Sequence, residues 1–250
     1  MEDSAELVRF YEQAYSLEPE RANLYARWRA LGAIGKADHV VALCERAGLR
    51  PQRTLDVGCG DGALACELRH RGFGGSLAGV EITEAAVRIA RDRPELDVVE
   101  IYDGTHLPFA ERTYELGVLS HVLEHVPDPV ALLAEVARVC GAVVIEVPLE
   151  RNWSARRAGK RAHAVEVGHL QVLDRGAARR IVASAGLAIV AELDDPLPHR
   201  VHSFFATSAR GRVAARAKWG LRAGLYRLAP GLARQAFTLH WACLCRPPAG

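Results

Sequence analysis

Residues 54–68 read TLDVGCGDGALACEL, and their order decides the fold. An apolar run from Thr54 to Val57 gives way to a turn with glycine at every second position, Gly58, Gly60 and Gly62. A helical run follows from Ala63. Each glycine removes a Cβ that would keep a ligand away from the backbone. A helix opening directly after such a turn aims its unpaired N–H groups at whatever lies there. Asp56 adds a carboxylate at the strand end, where a cationic amino group can be held. Strand, turn and helix together predict a cofactor site, although the turn alone does not say which cofactor.

Outward from this turn, short β-type runs alternate with helical ones, as in a parallel sheet covered by helices on both faces. Strands are predicted at 53–57, 76–81, 98–102, 114–119, 142–147, 188–193 and 237–245, and intervening helices at 64–71, 84–93, 129–139 and 175–185. Ahead of them, 5–31 is helical in pattern and carries Tyr11, Tyr15, Tyr25, Arg27 and Trp28. A second amphipathic helix is expected at 38–47, with Gly48 as its C-cap. The expected fold is α/β: a Rossmann-like, seven-stranded, mostly parallel sheet with helices on both faces and an antiparallel last strand. The expected organisation is an N-terminal helical cap over 1–50 and a cofactor-binding domain over 51–250. Insertions at about 148–173 and 195–236 are expected to form a lid on the acceptor side.

The composition, 50% hydrophobic and 25% charged over 250 residues, supports a full core. A net charge of +2 gives no general attraction for nucleic acid. No run approaches the ~20 apolar residues of a membrane span, and the acidic start MEDSAELVRF does not read as a signal peptide. Six cysteines, at 44, 59, 66, 140, 243 and 245, fall in predicted core elements or the glycine turn, as expected for reduced thiols in the cytoplasm. Cys243 and Cys245 lack a second ligand pair, so no metal is expected.

A nicotinamide-binding unit is the obvious competitor, but it calls for G-x-G-x-x-G rather than glycine at alternate positions. Glu81, 21 residues after Gly60, suits the ribose hydroxyls of either cofactor. The choice comes from 103–139, DGTHLPFAERTYELGVLSHVLEHVPDPVALLAEVARV. Its succession of acid, Leu-Pro-Phe, strand and Leu-Glu-His resembles the class I S-adenosylmethionine (SAM)-dependent methyltransferases, in their small-molecule "type 11" branch. The likeness is detailed from Thr54 to Pro148 and looser to Cys245. It implies that Asp56, Gly58, Cys59 and Gly60 line the methionine part of SAM. It also implies that Glu81 takes the ribose hydroxyls, that Ile82 packs on adenine and that Asp103, with Gly104, meets the adenine amino group. Ser120 and His121 would then lie beside the sulfonium.

Methyl transfer from a sulfonium is an in-line displacement, so the protein must place the nucleophile, exclude water and remove a proton. Histidine titrates in the range suited to that last task. His121, at the mouth of strand four, and His169, in Gly168-His169-Leu170, are the candidate bases, while His125 is expected to brace its loop. Tyr11, Tyr15, Arg156, Arg157, His199 and Arg200 are candidate acceptor contacts, the first basic cluster continuing through Arg151, Lys160, Arg161 and His163. These clusters could grip an anionic acceptor or serve only as solvated loops. Residues 208–234 form a basic amphipathic pattern with Val213, Ala217, Leu221, Leu225 and Leu228 on one face, expected to pack on the enzyme body or a second subunit. The expected activity is methyl transfer to oxygen or nitrogen of a small acceptor, natural products included, by a monomer or homodimer without nucleic-acid partners or stable membrane insertion. A non-catalytic SAM-binding scaffold is the alternative class, with a nicotinamide oxidoreductase third.

Overall fold

The computed structural model describes residues 2–73, 75–160, 162 and 167–248. Arg161 and His163 of the basic segment lie outside the described residues. Helices α1 (Glu2–Tyr15) and α2 (Pro19–Arg46) open the chain. There follow β1 (Arg53–Val57), α3 (Ala63–His70), β2 (Ser76–Glu81), α4 (Glu84–Arg91), β3 (Val98–Ile101), β4 (Tyr114–Ser120), α5 (Pro129–Val139) and β5 (Cys140–Pro148). Beyond β5 lie α6 (Arg175–Ser184), β6 (Ala188–Asp195), α7 (His199–Ser203), α8 (Ala209–Leu228), α9 (Pro230–Ala236) and β7 (His240–Arg246).

The strands form one sheet in the order β3-β2-β1-β4-β5-β7-β6. β7 runs antiparallel to both β5 and β6, and the other pairings are parallel. This is the expected sheet. Period-two alternation along each strand sorts side chains onto two faces. Val143, Ile145 and Val147 of β5 join Trp241 and Cys243 of β7 under α5 and α6. Ala142 and Val144 join Ala242 and Leu244 beneath α2, α3 and α4. All six cysteines are free thiols.

The N-terminal helices divide at a different point from that expected. α2 is continuous through Gly32 and Gly35, and the break falls at 16–18, just before Pro19. Proline suits the first turn of a helix, where its missing N–H costs nothing. Ala37, Val40, Leu43 and Cys44 of α2 are buried against the sheet, which offsets the roughly 1 kcal/mol that each helical glycine costs. β7 begins at His240, three residues later than expected, because 237–239 lead out of α9.

In α8 the face that meets the body is not the aliphatic one. Trp219 Nε1 donates to the Leu197 carbonyl at 3.1 Å, and the Tyr226 hydroxyl donates to the Asp194 carbonyl at 3.1 Å. Val213, Leu221 and Leu228 are exposed. Among the described residues, no helix is long and apolar enough to cross a membrane.

Candidate active site

Open α/β sheets bind ligands beyond the carboxyl ends of their strands. A cleft of about 1150 Å³ lies there, roofed by α1 and α2 and bordered by the segments after β5 and β6. Single-ligand pockets usually span ~300–1,000 Å³, so this one has room for a cofactor and an acceptor side by side.

The glycine turn forms one end. Gly58, Gly60 and Gly62 all have positive φ, which side chains rarely adopt. A Cβ on Gly58 would stand 2.7 Å from Val122 Cγ2, and one on Gly60 would overlap the Tyr15 hydroxyl. Cys59 turns its sulfur into the core against Gly79, so only its backbone is offered to a ligand. Asp56 is 5% exposed, and its Oδ2 is buried with no hydrogen-bond partner. Burial pushes its acidity up to about 7, with Lys36 pulling down and Glu81 pushing up. A buried, unpartnered carboxylate at a glycine cradle fits the cationic amino group of SAM.

Glu81 at the end of β2 accepts from the amides of Gly60 at 3.0 Å and Ile82 at 2.6 Å. Burial raises its pKa, and these amides work the other way. Asp103 is exposed, and its Oδ1 accepts from the Thr105 amide, the Thr105 hydroxyl and the His106 amide, each at 2.7 Å. Those bonds, led by that from His106, hold its carboxyl well below the usual range. Ile82, Asp103, Gly104 and Ser120 all border the cleft, and Ser120 Oγ is buried without a partner.

α1 closes over both ends of the cleft. Tyr15 lies under the Arg29 guanidinium, 4.7 Å from its ring centroid, and Arg29 pairs with Asp61 at 2.7 Å. Tyr11 meets His125 edge to face at 5.6 Å. Glu12 accepts from the Ala85 amide at the start of α4, which ties α1 to the cofactor side.

The inner wall is a buried histidine–carboxylate network. Glu146 continues the row of β5 that faces α2, and His240 continues the matching row of β7. Glu146 Oε2 lies 2.9 Å from His39 Nδ1, and Oε1 lies 2.9 Å from His240 Nδ1 and 3.4 Å from His121 Nε2. His39 Nε2 in turn meets Asp195 at 3.2 Å. Burial opposes the charge on Glu146, but hydrogen bonds to His121, His240 and His39 hold it ionised, well below the ordinary range. Burial also opposes charge on His39, yet bonds to Asp195 and Glu146 raise it to about 10. His121 has φ +61, a strained backbone for a non-glycine residue.

A second group follows Leu123. Glu124 is 1% exposed and lies 3.1 Å from His121 Nδ1 and 4.0 Å from His125 Nε2. Neither of its carboxylate oxygens has a well-aligned hydrogen bond. Burial opposes its charge, and His121 and His125 hold it down at about 2. His125 Nδ1 donates to the Gly168 carbonyl at 3.0 Å, which braces the loop. His169 Nδ1 lies 2.6 Å from Glu150 Oε2, which leaves Nε2 as the ring nitrogen not engaged by that carboxylate, and the ring packs 4.8 Å from that of His125.

Of the residues singled out from sequence, His121, His169, Tyr11 and Tyr15 border the cleft with the cofactor set. Arg156, Arg157, His199 and Arg200 are not among its lining residues; Arg156, Arg157 and Arg200 are exposed, and His199 packs on Trp219. The cations that do line it are Arg21, Arg29, Lys36, Lys160 and Arg222. Sequence reasoning missed His39, Glu146 and His240. The one available signal was a glutamate inside the apolar run Val143–Val147.

Comparison with known proteins agrees with this geometry. A family model described as "Methyltransferase domain" matches residues 25–192. The ubiquinone biosynthesis O-methyltransferase of Thiobacillus denitrificans is 29% identical over 167 residues, covering 60% of this chain and 65% of that protein. That of Hahella chejuensis is 36% identical over 115 residues, covering 43% of this chain and 48% of that protein. The chain thus spans less than two thirds of these curated relatives. Among solved structures, geranyl diphosphate C-methyltransferase from Streptomyces coelicolor A3(2) superposes with a TM-score of 0.62 at 17% identity, covering 86% and 77% of the two chains. The [4+2]-cyclase SpnF gives 0.58 at 20% identity over 87% and 82%. These last two likenesses concern the fold alone. With its family match, strand order and cofactor cradle, the chain belongs to the class I SAM-dependent methyltransferases.

Proposed function

We propose that this enzyme methylates a hydroxyl oxygen of a small, largely flat acceptor held between α1–α2 and the segments after β5 and β6. SAM supplies an activated methyl group, and Asp56, the glycine turn, Glu81, Ile82 and Asp103 are the residues that hold it. For Glu81 and Asp103, the ribose and the adenine amino group use lone pairs beyond those already engaged.

The observation that carries the oxygen reading is the His169–Glu150 pair, with Nδ1 and Oε2 2.6 Å apart on the cleft wall. A carboxylate on one ring nitrogen fixes the tautomer that leaves the other as a proton acceptor, which is what a hydroxyl nucleophile needs. His121 lines the same cleft beside Ser120. Tyr11, Tyr25, Trp28 and Phe205 give the cleft aromatic walls suited to a ring-bearing acceptor. The O-methyltransferase names of the curated relatives point the same way. An anionic group on the acceptor would meet Lys160 and Arg222 rather than Arg156 and Arg157.

The test is product identity. The enzyme is incubated with SAM and paired acceptors that differ only in a ring hydroxyl or a ring amine, and products are resolved by mass spectrometry. O-methylated product from the hydroxyl member is expected. Methylation of the amine member alone would overturn the oxygen reading.

A further inference from the structure

We propose that His121 Nε2, His240 Nδ1 and Glu146 Oε1 form a binding site for a divalent first-row transition metal, open toward the acceptor end of the cleft. The three atoms converge: His240 to Glu146 is 2.9 Å, His121 to His240 is 3.1 Å and His121 to Glu146 is 3.4 Å. Hydrogen bonds cannot serve all three edges of this triangle. If both ring nitrogens carry protons, the edge between them joins two donors. If one is bare, its edge to the carboxylate joins two acceptors. A cation serves all three at once, since a point about 2.1 Å from each atom exists about 1 Å off their plane.

The surroundings are those of an outer coordination shell. Metal-bound histidines commonly direct their second nitrogen at a carboxylate. His121 Nδ1 lies 3.1 Å from Glu124, and Glu146 Oε2 is held by His39, itself held by Asp195. Lys36 lines the same cleft, and the buried Asp56 carboxylate lies close enough to feel its charge. Two imidazoles with one carboxylate and open positions suit zinc, manganese, cobalt or iron rather than calcium. The sequence hides this site because its ligands come from the ends of β4, β5 and β7, and only the sheet order brings them together.

An acceptor oxygen bound at the open face would become more acidic. That role rests on the oxygen reading above, whereas the site does not. The experiment therefore reads binding without methyl transfer. Tag-free protein stripped with a chelator is titrated with Co²⁺ and followed by visible d–d absorption. Wild type is compared with His240→Ala, Glu146→Gln and His169→Ala, each checked for fold by calorimetric binding of S-adenosylhomocysteine (SAH). One saturable equivalent is expected in wild type and His169→Ala, with affinity at least about tenfold weaker in His240→Ala and Glu146→Gln. Should either of those fail the fold check, His121→Asn is read in its place. No saturable band in wild type, or a band that survives these changes, would overturn the proposal. So would loss in His169→Ala, which would put the ion on Glu124, His125 and His169.

Discussion

Replacing Asp56 by asparagine should stabilise the unliganded fold and weaken cofactor binding at the same time. The carboxylate is buried, lacks a partner for Oδ2 and has its acidity raised from 3.8 to about 7. A folded state that keeps a proton the unfolded chain has lost becomes less stable as pH rises between those two values, and is level above them. At about 1.4 kcal/mol per pH unit, the ionisable residue costs the fold about 2 kcal/mol at pH 5 and about 4 kcal/mol at pH 8. The amide of the Asp56→Asn variant carries no charge to bury. Urea denaturation at the two pH values should therefore show a stabilising difference that grows by about 2–3 kcal/mol from pH 5 to pH 8. Loss of a charge-assisted bond to the SAH amino group should meanwhile weaken calorimetric binding by about tenfold to a hundredfold. A variant less stable than wild type at pH 8 would refute the burial argument. Unchanged SAH affinity would refute the assignment of Asp56 to the amino group.

Further expectations follow from the same geometry. Gly58→Ala combines φ +72 with a Cβ 2.7 Å from Val122, and should lose about 1–3 kcal/mol in urea melts along with SAH affinity. His169→Asn should lower kcat by about 10²–10⁴ while SAH binding is retained, and an unchanged kcat would remove His169 from the reaction. With a carboxylated acceptor, Arg222→Ala should raise KM and Arg156→Ala with Arg157→Ala should not. The reverse pattern would restore the exposed cluster as the anion contact.

The sheet and the glycine turn were legible because their signals are local. Short, nearly continuous apolar runs mark the central strands, and the turn, its strand and its helix lie within the eighteen consecutive residues 53–70. Asp56 and Glu81 could be placed at strand ends for the same reason. The histidine network could not, since His39, His121, Glu146 and His240 are spread over two hundred positions and meet only because β7 inserts between β5 and β6. Glu146 is one polar residue inside the apolar run of β5, and a strand expected at 237–245 put His240 in its interior rather than at its start. Of the two readings open for Arg156 and Arg157, their exposure away from the cleft lining favours the solvated loop, and a run of arginines in the sequence does not say which way its side chains point. The α8 segment does pack on the body as expected, but through Trp219 and Tyr226, whose polar tips dock on carbonyls, while Val213, Leu221 and Leu228 of its aliphatic stripe are exposed. The division of α1 from α2 turned on Pro19 rather than on Gly32 and Gly35.

The most direct test of the account is a crystal structure of the SAH complex. It should show the amino group on Asp56, the adenine beside Ile82 and Asp103, and the sulfur facing the end of the cleft bordered by His121, His169 and His240. An SAH molecule reversed in the cleft, or one whose sulfur faces away from those histidines, would contradict it.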